Sequence, residues 1–384
     1  MTTAERPIVC LLDGQTYEKN PYMTLLQEAL ADLGVDVRTT DLPRFFPLTR
    51  TAVRNPDLDV LQIDWPYHHY IVDPTGARPI DDVLTVLRAV TFLVDLLVAS
   101  LLSVGIVRTV HNRRHHDGAY PLTERVVSET LFLVADAVTV KCDAARHVVA
   151  ESFAVPNADR IHVVPDGSYV SAYENDVTRA AARRELSIDE GTFVYLFFGQ
   201  VRRYKGVLDL IDAFEDLGET GSELWIVGTP EDEAFEAELR SHAAEADGVR
   251  PVLRFVPDDR VQYYLNAADV LALPYRKILN SGSVRLGLTF GLPVVAPRMG
   301  CLPETLPAAN EFLYDPTAPD GLRAELARAH DHPDLDRIGT ANHQQARDQT
   351  WTATATALLD VYRRAVDEPA RNAGPGRYTD AGQP

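Results

Sequence analysis

Lysine is close to absent. Only Lys19, Lys141, Lys205 and Lys277 occur in 384 residues, and arginine carries the remaining positive charge. With 56 acidic against 37 basic side chains the net charge is −19, which argues against a nucleic-acid partner, because that class needs a basic face to neutralise phosphates. An acidic, lysine-poor composition fits adaptation to high salt, as in a halophilic archaeon, and it fits a GC-rich genome that favours arginine codons. Cysteine is scarce too. Cys10, Cys142 and Cys301 are odd in number and widely separated, without the paired spacing of a metal site or a small disulfide scaffold, so a reducing cytoplasm is expected. No secretory leader is expected, because MTTAERP is polar and the apolar run after it, Ile8 to Leu12, is only a strand long. One long apolar run exists, Val90 to Val107. Asp95 interrupts it, and Arg88, Thr91 and Asp95 share one narrow polar line at helical spacing, so the reading is a largely buried helix and not a membrane span.

What is present is apolar patterning for two cores: the length suits two domains, and a hydrophobic content of 46% is ample for burial. Ile8 to Leu12 reads as a strand, Asp13-Gly14-Gln15 as a loop, and Asn20-Pro21 as the start of a helix. The helix keeps its period through Tyr22, Leu25, Leu26, Ala29, Leu30 and Leu33, before a strand at Val35 to Thr39. Further strands are expected at Val60 to Ile63, Ile106 to Val110, Ala135 to Val140 and Ile161 to Val164, an alternation that means a parallel sheet. In such sheets the loops after strands line the ligand crevice, here Asp64-Trp65-Pro66-Tyr67-His68-His69 and His111-Asn112-Arg113-Arg114-His115-His116-Asp117. The histidine cluster invites a metal, but His111 and His115 lack a predicted helix to align them, so no metal is expected.

A second sheet opens at Phe193 to Phe198. Its first loop, Gly199 to Gly206, holds Arg202, Arg203 and the rare Lys205 between a strand and a helix, where fixed positive charge would meet a diphosphate. Strands follow at Leu224 to Val227 and Leu253 to Val256, then a helix over Asp258 to Ala267. The stretch Ala268 to Glu304 reads as strand, loop, helix and strand: Pro274 stops Val270 to Leu273, Asn280, Ser281 and Ser283 are helix-start residues, and Gly291 with Pro293 ends the helix before Val294 to Ala296. The helix start aims backbone N–H groups at the sheet edge, a seat for an anion. Arg285, in its first turn, serves a bound phosphate or pairs with a surface carboxylate.

These segments, AADVLALPYR, SGS, FGLPVVAP and GCLPE, resemble the second half of the glycosyltransferases of family four, glycosyl transferases of the group one type, in a branch that carries SGS. FFGQVRRYKGVLDL resembles that family's donor-phosphate loop and VRTVHNRRHHD its first-domain histidine loop; together the likeness spans roughly residues 7 to 368. It implies an α/β fold of GT-B type, two facing doubly wound Rossmann-like domains. The N-terminal, acceptor-side domain is 1–174, the nucleotide-sugar domain 175–350, a terminal helix crossing back 351–368, and a tail 369–384 is too poor in apolar groups to fold. The implied activity is that of a hexosyltransferase moving a hexose from a UDP- or GDP-sugar to a hydroxyl of a glycan or lipid-linked saccharide, with retention and without cofactor or metal. Arg202, Lys205 and His111 are the implied catalytic residues. Gly199, Asn280, Ser281, Gly282, Ser283, Arg285 and Glu304 are assigned to the donor, and Gly14, Trp65, His68 and His115 to the acceptor side.

The pattern breaks at one place. Two glutamates that many relatives carry around the donor fall at Ile278 and Leu286, both apolar here. Three other readings therefore stand beside the transferase: a nucleotide-sugar epimerase of the same fold, a non-catalytic nucleotide-sugar-binding subunit, and a nucleotide-sugar sensor. A cytoplasmic location is expected. The apolar helix near Val90 to Leu102 and the aromatics Trp65, Tyr67 and Tyr70 suit peripheral contact with the cytoplasmic face of a membrane, while the acidic surface opposes anionic lipid.

Overall fold

The computed structural model describes residues 8–13, 21–39, 45–72, 78–112, 120–153, 155 and 157–367. Two compact units emerge, one of Met1–Asp166 with Trp351–Pro384 and one of Gly167–Thr350. The chain thus divides after Asp166, upstream of the polar stretch near Glu174, and within the second unit the N–H of Tyr169 donates to Oγ1 of Thr289 at 3.3 Å.

The first unit is a parallel sheet of β1 (Val9–Asp13), β2 (Asp36–Thr39), β3 (Val60–Ile63), β4 (Gly105–Thr109), β5 (Ala137–Val140) and β6 (Ile161–Val163), in the order β2-β1-β3-β4-β5-β6. Its helices are α1 (Tyr22–Asp32), α2 (Pro47–Arg54), α3 (Tyr67–Tyr70), α4 (Arg78–Ala99), α5 (Pro121–Val134) and α6 (Asp143–Ser152). The second unit is a parallel sheet of β7 (Phe193–Phe198), β8 (Ser222–Val227), β9 (Val249–Val252), β10 (Val270–Ala272), β11 (Val294–Pro297) and β12 (Leu313–Tyr314), in the order β12-β11-β10-β7-β8-β9. Around it run α7 (Arg179–Leu186), α8 (Val207–Leu217), α9 (Glu233–Glu245), α10 (Asp258–Ala267), α11 (Gly282–Thr289), α12 (Leu302–Thr305), α13 (Gly321–His330) and α14 (Leu335–Asp348). The last helix, α15 (Trp351–Asp367), returns to the first unit and packs on α1, β3, β4 and β5.

One device recurs at the N-terminal ends of the strands. Asp59, Asp136 and Asp269 each stand one residue ahead of a strand, and each carboxylate accepts a backbone N–H near the start of the neighbouring strand: Val9 at 2.9 Å, Ile106 at 2.9 Å and Val194 at 2.8 Å. A charge-assisted bond of this kind satisfies a donor that the ladder leaves over, and it fixes where the strand begins.

Two expectations are corrected. The strand placed at Leu253 to Val256 lies at Val249–Val252 and includes Pro251; β9 is an edge strand, so a residue without an N–H is tolerated there. The run Val90 to Val107 is not one helix, since α4 ends at Ala99 and β4 begins at Gly105, and its helical part is buried on one face only, with Phe92, Asp95, Leu96 and Ala99 inside and Val90, Val94, Leu97 and Val98 exposed. Asp95 points inward beside Phe92 and Leu96 and accepts the N–H groups of Leu48 at 2.7 Å and Thr49 at 2.9 Å, capping α2. Among the described residues no helix is long and apolar enough to cross a membrane.

Candidate functional site

In the second unit β7 is the first strand, β8 and β9 extend to one side and β10 to β12 to the other. The reversal between β7 and β10 is a topological switch point, where loops leave in opposite directions and open a crevice at the strand ends. Both loops singled out from the sequence flank it. The continuous apolar run of β7 is buried between neighbours, as a central strand requires, and it ends at Gly199. There φ is +128°, and a Cβ would lie 2.7 Å from Oγ of Ser283 and 3.8 Å from Nζ of Lys205. Only glycine fits, and the measurement itself shows that Gly199, Ser283 and Lys205 converge. Gly206, at φ +70°, turns the loop into α8; a Cβ there would meet the Pro274 carbonyl at 2.1 Å, which ties this loop to the one after β10.

The three cations of the β7 loop have separate fates. Arg203 is drawn away: its guanidinium pairs with Glu238 at 2.6 Å and lies 4.5 Å over the ring of Phe235 on α9. Nε of Arg202 donates to Oε1 of Gln200 at 3.1 Å, within the loop. Lys205 reaches inward, its ammonium 5.9 Å from the ring centroid of Tyr275, and burial, aided by the Arg202 charge, pushes its pKa down to about 7. A cation desolvated in this way is a site poised for an anion, which would restore its charge.

Ser281 begins α11. Its Oγ accepts the N–H of Val284 at 3.2 Å and bonds the phenol of Tyr275 at 2.9 Å, so its side chain shapes the helix start. The N–H groups of Gly282 and Ser283 precede the first intrahelical bond and point out of the N-terminus, beside Gly199. Arg285 is buried, and Nη1 donates to Oε1 of Gln349 at 3.1 Å. Asn280 is half-buried just ahead of the cap. Its loop is pinned to the one after β11, where the N–H of Cys301 donates to the Leu279 carbonyl at 2.8 Å, and Glu304 stands exposed on α12 beyond that join. Leu286 is buried within α11, and Ile278 half-buried in the loop before it.

The first unit carries its own polar centre at the strand ends. His111 follows β4, and its Nε2 donates to Oδ1 of Asp64, which follows β3, at 2.8 Å. The carboxylate accepts, so the proton sits on Nε2 and Nδ1 is left as an acceptor. Gln62 donates to the other oxygen of Asp64 at 2.8 Å and accepts from the Tyr362 hydroxyl of α15 at 2.6 Å. Trp65 stacks on the imidazole at 4.7 Å between centroids, and the ring of Tyr22 meets it edge-on at 4.9 Å. Burial holds the His111 pKa below the usual histidine value; the Asp64 bond opposes this and the nearby Lys141 charge reinforces it. Lys141 itself is buried, pairs with Asp166 at 2.6 Å and donates to the Tyr22 hydroxyl at 3.3 Å. Arg108 clamps the loop backbone, donating to the carbonyls of Ile63 at 2.9 Å, Thr109 at 2.6 Å and also Asp64.

Of the acceptor-side residues, Trp65 belongs to this centre. His68 is exposed on α3, with its ring 4.4 Å from that of Tyr67. Gly14 and His115 lie outside the described residues. Asp64, Gln62, Lys141, Asp166 and Tyr362 went unassigned from the sequence, although Lys141, one of four lysines, directly after a strand, was a usable signal. Among the described residues no three His, Cys, Asp or Glu side chains gather as a metal site would need.

Comparison with known proteins adds the following. Residues 192–332, which run from β7 to α13, match the family described as Glycosyl transferases group 1. The chain is 28% identical over 299 residues to a D-inositol 3-phosphate glycosyltransferase of Corynebacterium glutamicum, covering 71% of this chain and 70% of the relative. It is 26% identical over 305 residues to a GDP-mannose:glycolipid 4-beta-D-mannosyltransferase of Xanthomonas campestris, covering 77% and 76%. HepE of Anabaena, solved in complex with UDP and glucose, superposes with a TM-score of 0.68 at 15% identity over 93% of this chain and 99% of that one. The two parallel sheets with a returning terminal helix are the GT-B fold.

Proposed function

We propose that the protein transfers a hexose from a nucleotide diphosphate sugar to a hydroxyl of a glycan or lipid-linked saccharide. The observation that carries this is the convergence of Gly199, Ser283 and the half-buried Lys205 at the switch point, backed by the N-terminus of α11. Phosphate oxygens fit there: Gly199 admits close approach, Ser283 and two leading N–H groups donate, and Lys205 with Arg202 neutralises charge. As the bond to the sugar breaks, negative charge builds on the leaving oxygen, and cations fixed beside it stabilise the transition state more than the bound donor. We assign transfer without a metal, since this positive field stands where a divalent cation would act. His111 is assigned to the sugar: Nδ1, held as an acceptor by Asp64, suits a sugar hydroxyl. Retention follows the resemblance. The glycolipid mannosyltransferase and the UDP complex of HepE support UDP or GDP as the base-bearing part and a lipid-linked acceptor.

The test compares Arg202→Ala, Lys205→Ala and Arg203→Ala after UDP- and GDP-sugars have been screened for thermal stabilisation. Loss of either of the first two should lower turnover by about 10² to 10³, roughly 3 to 4 kcal/mol, with a smaller loss of donor affinity. Arg203→Ala, whose guanidinium is engaged with Glu238, should keep turnover within about twofold. The non-catalytic reading has one observation behind it, the apolar pair Ile278 and Leu286. Donor binding without turnover in the wild type would establish it.

A further inference from the structure

Helix α4 is apolar on both faces. Ile80, Val83, Leu87, Val90, Val94, Leu97 and Leu101 recur at alternating intervals of three and four from α4 into the turn after it, and all are exposed, from 43% at Val94 to 82% at Leu101. These are the a and d positions of three heptads. The buried residues, Asp81, Thr85, Ala89, Phe92, Asp95, Leu96 and Ala99, occupy b, c and f, against α2, α3 and α5. An amphipathic helix of a globular unit turns its apolar stripe inward. Here the seam that would receive another helix faces solvent.

We propose that α4 is a homodimerisation element, paired with α4 of a second copy of this chain about a two-fold axis. The 3.5-residue period selects a helix as the occupant, since knobs at a and d need the holes of a facing helix. The extent suits a dimer. Leu84, Val86 and Val98 widen the seam, and α5 adds Leu122, Val126 and Leu133 on one stripe. At about 100 Å² per fully exposed aliphatic side chain, this is roughly 700 Å² of apolar surface per copy. A standard interface buries about 800 Å² per partner, a little over half of it apolar, whereas a monomer rarely leaves more than a few hundred Å² in one patch. The rim favours self-association as well. Arg125 pairs with Glu129 at 2.7 Å beside the α5 stripe, so that part of the border is neutral in a protein of net charge −19. A lipid surface is served less well: the seam holds no tryptophan or lysine, and the overall charge opposes an anionic leaflet.

Sedimentation of the full chain at micromolar concentration tests this. The wild type should run at twice the 42.5 kDa chain mass. Val90→Glu with Leu97→Glu should weaken association by about a hundredfold or more and give the single-chain mass with unchanged far-UV circular dichroism. Val90→Gln, neutral and milder, should weaken it about tenfold and guards against misfolding of the double variant. Val53→Glu, equally exposed on α2 but off the seam, should leave the dimer intact. A single-chain wild type, or a dimer that both seam variants preserve, overturns the proposal. Co-sedimentation of a single-chain wild type with phosphatidylglycerol–phosphatidylcholine vesicles, abolished by the seam substitutions, would overturn it in favour of a lipid surface.

Discussion

Lys205 should make donor binding depend on pH near neutrality. Its pKa in the empty site is pushed down to about 7, first by burial and then by Arg202. A diphosphate bound beside it favours the charged form, so the complex holds the proton to a higher pH than the free protein does. The sign follows: the bound state carries more protons, and affinity falls as pH rises through about 7. Below about pH 6 the ammonium is almost fully formed and the dissociation constant is flat. At about pH 8 only a tenth of the free protein is protonated, so the dissociation constant should be about tenfold higher, or roughly 1.4 kcal/mol. A nucleotide sugar is a suitable probe because its diphosphate is esterified at both ends and does not titrate in this range. Isothermal titration with UDP-glucose and GDP-mannose, in two buffers of different ionisation enthalpy, measures both the affinity and the proton taken up. About half a proton per donor is expected at pH 7. Lys205→Ala should bind weakly at every pH, with no proton uptake. A flat profile in the wild type, or an unchanged profile in Lys205→Ala, would refute the assignment.

Two further outcomes follow from single contacts. Asp64→Asn replaces the acceptor that fixes the His111 proton on Nε2, and turnover should fall about tenfold or more, while Tm changes by only a few degrees; crude kinetics and a melting curve decide it. Asp95→Ala removes the acceptor of two N–H groups at the start of α2, which should cost about 2 kcal/mol and lower Tm by several degrees, with the donor dissociation constant unchanged.

The alternation of strands and helices was legible because it is a local signal. β7 appears as six apolar residues in a row, α10 was placed at its observed bounds, and Asn280, Ser281 and Ser283 announced the start of α11 by their type. The loops assigned to the donor stood out for the same reason, as glycine and cations between a strand and a helix. The partners of His111 were not. Asp64 is 47 residues away, and Tyr22 and Lys141 are 119 apart, so only the strand order brings them together. Nor does period say which face of a helix is inward. In α4 apolar residues lie on both faces, and Phe92 and Leu96 pack inward with the Asp95 carboxylate that caps α2, while Arg88 and Thr91 stay half-buried.

The scarce lysines bear on how so acidic a chain would hold an anionic donor. Three of them lie in segments that follow a strand, Lys141 after β5, Lys205 after β7 and Lys277 after β10, and Lys19 lies outside the described residues. Asp59, Asp136 and Asp269 mark the opposite ends of the strands. The net charge of −19 and the local charge at the strand ends therefore predict opposite responses to salt. If the overall field governed encounter, salt would screen a repulsion between two anions and the dissociation constant would fall. If Lys205 and Arg202 govern, salt screens an attraction and competes for the site, and the dissociation constant should rise severalfold as the Debye length shrinks from about 10 Å at 0.1 M to about 3 Å at 1 M. Titration of UDP-glucose across that range at pH 6, where Lys205 is charged, separates the two. Binding that tightens with salt would show that the cations of the β7 loop do not face the diphosphate.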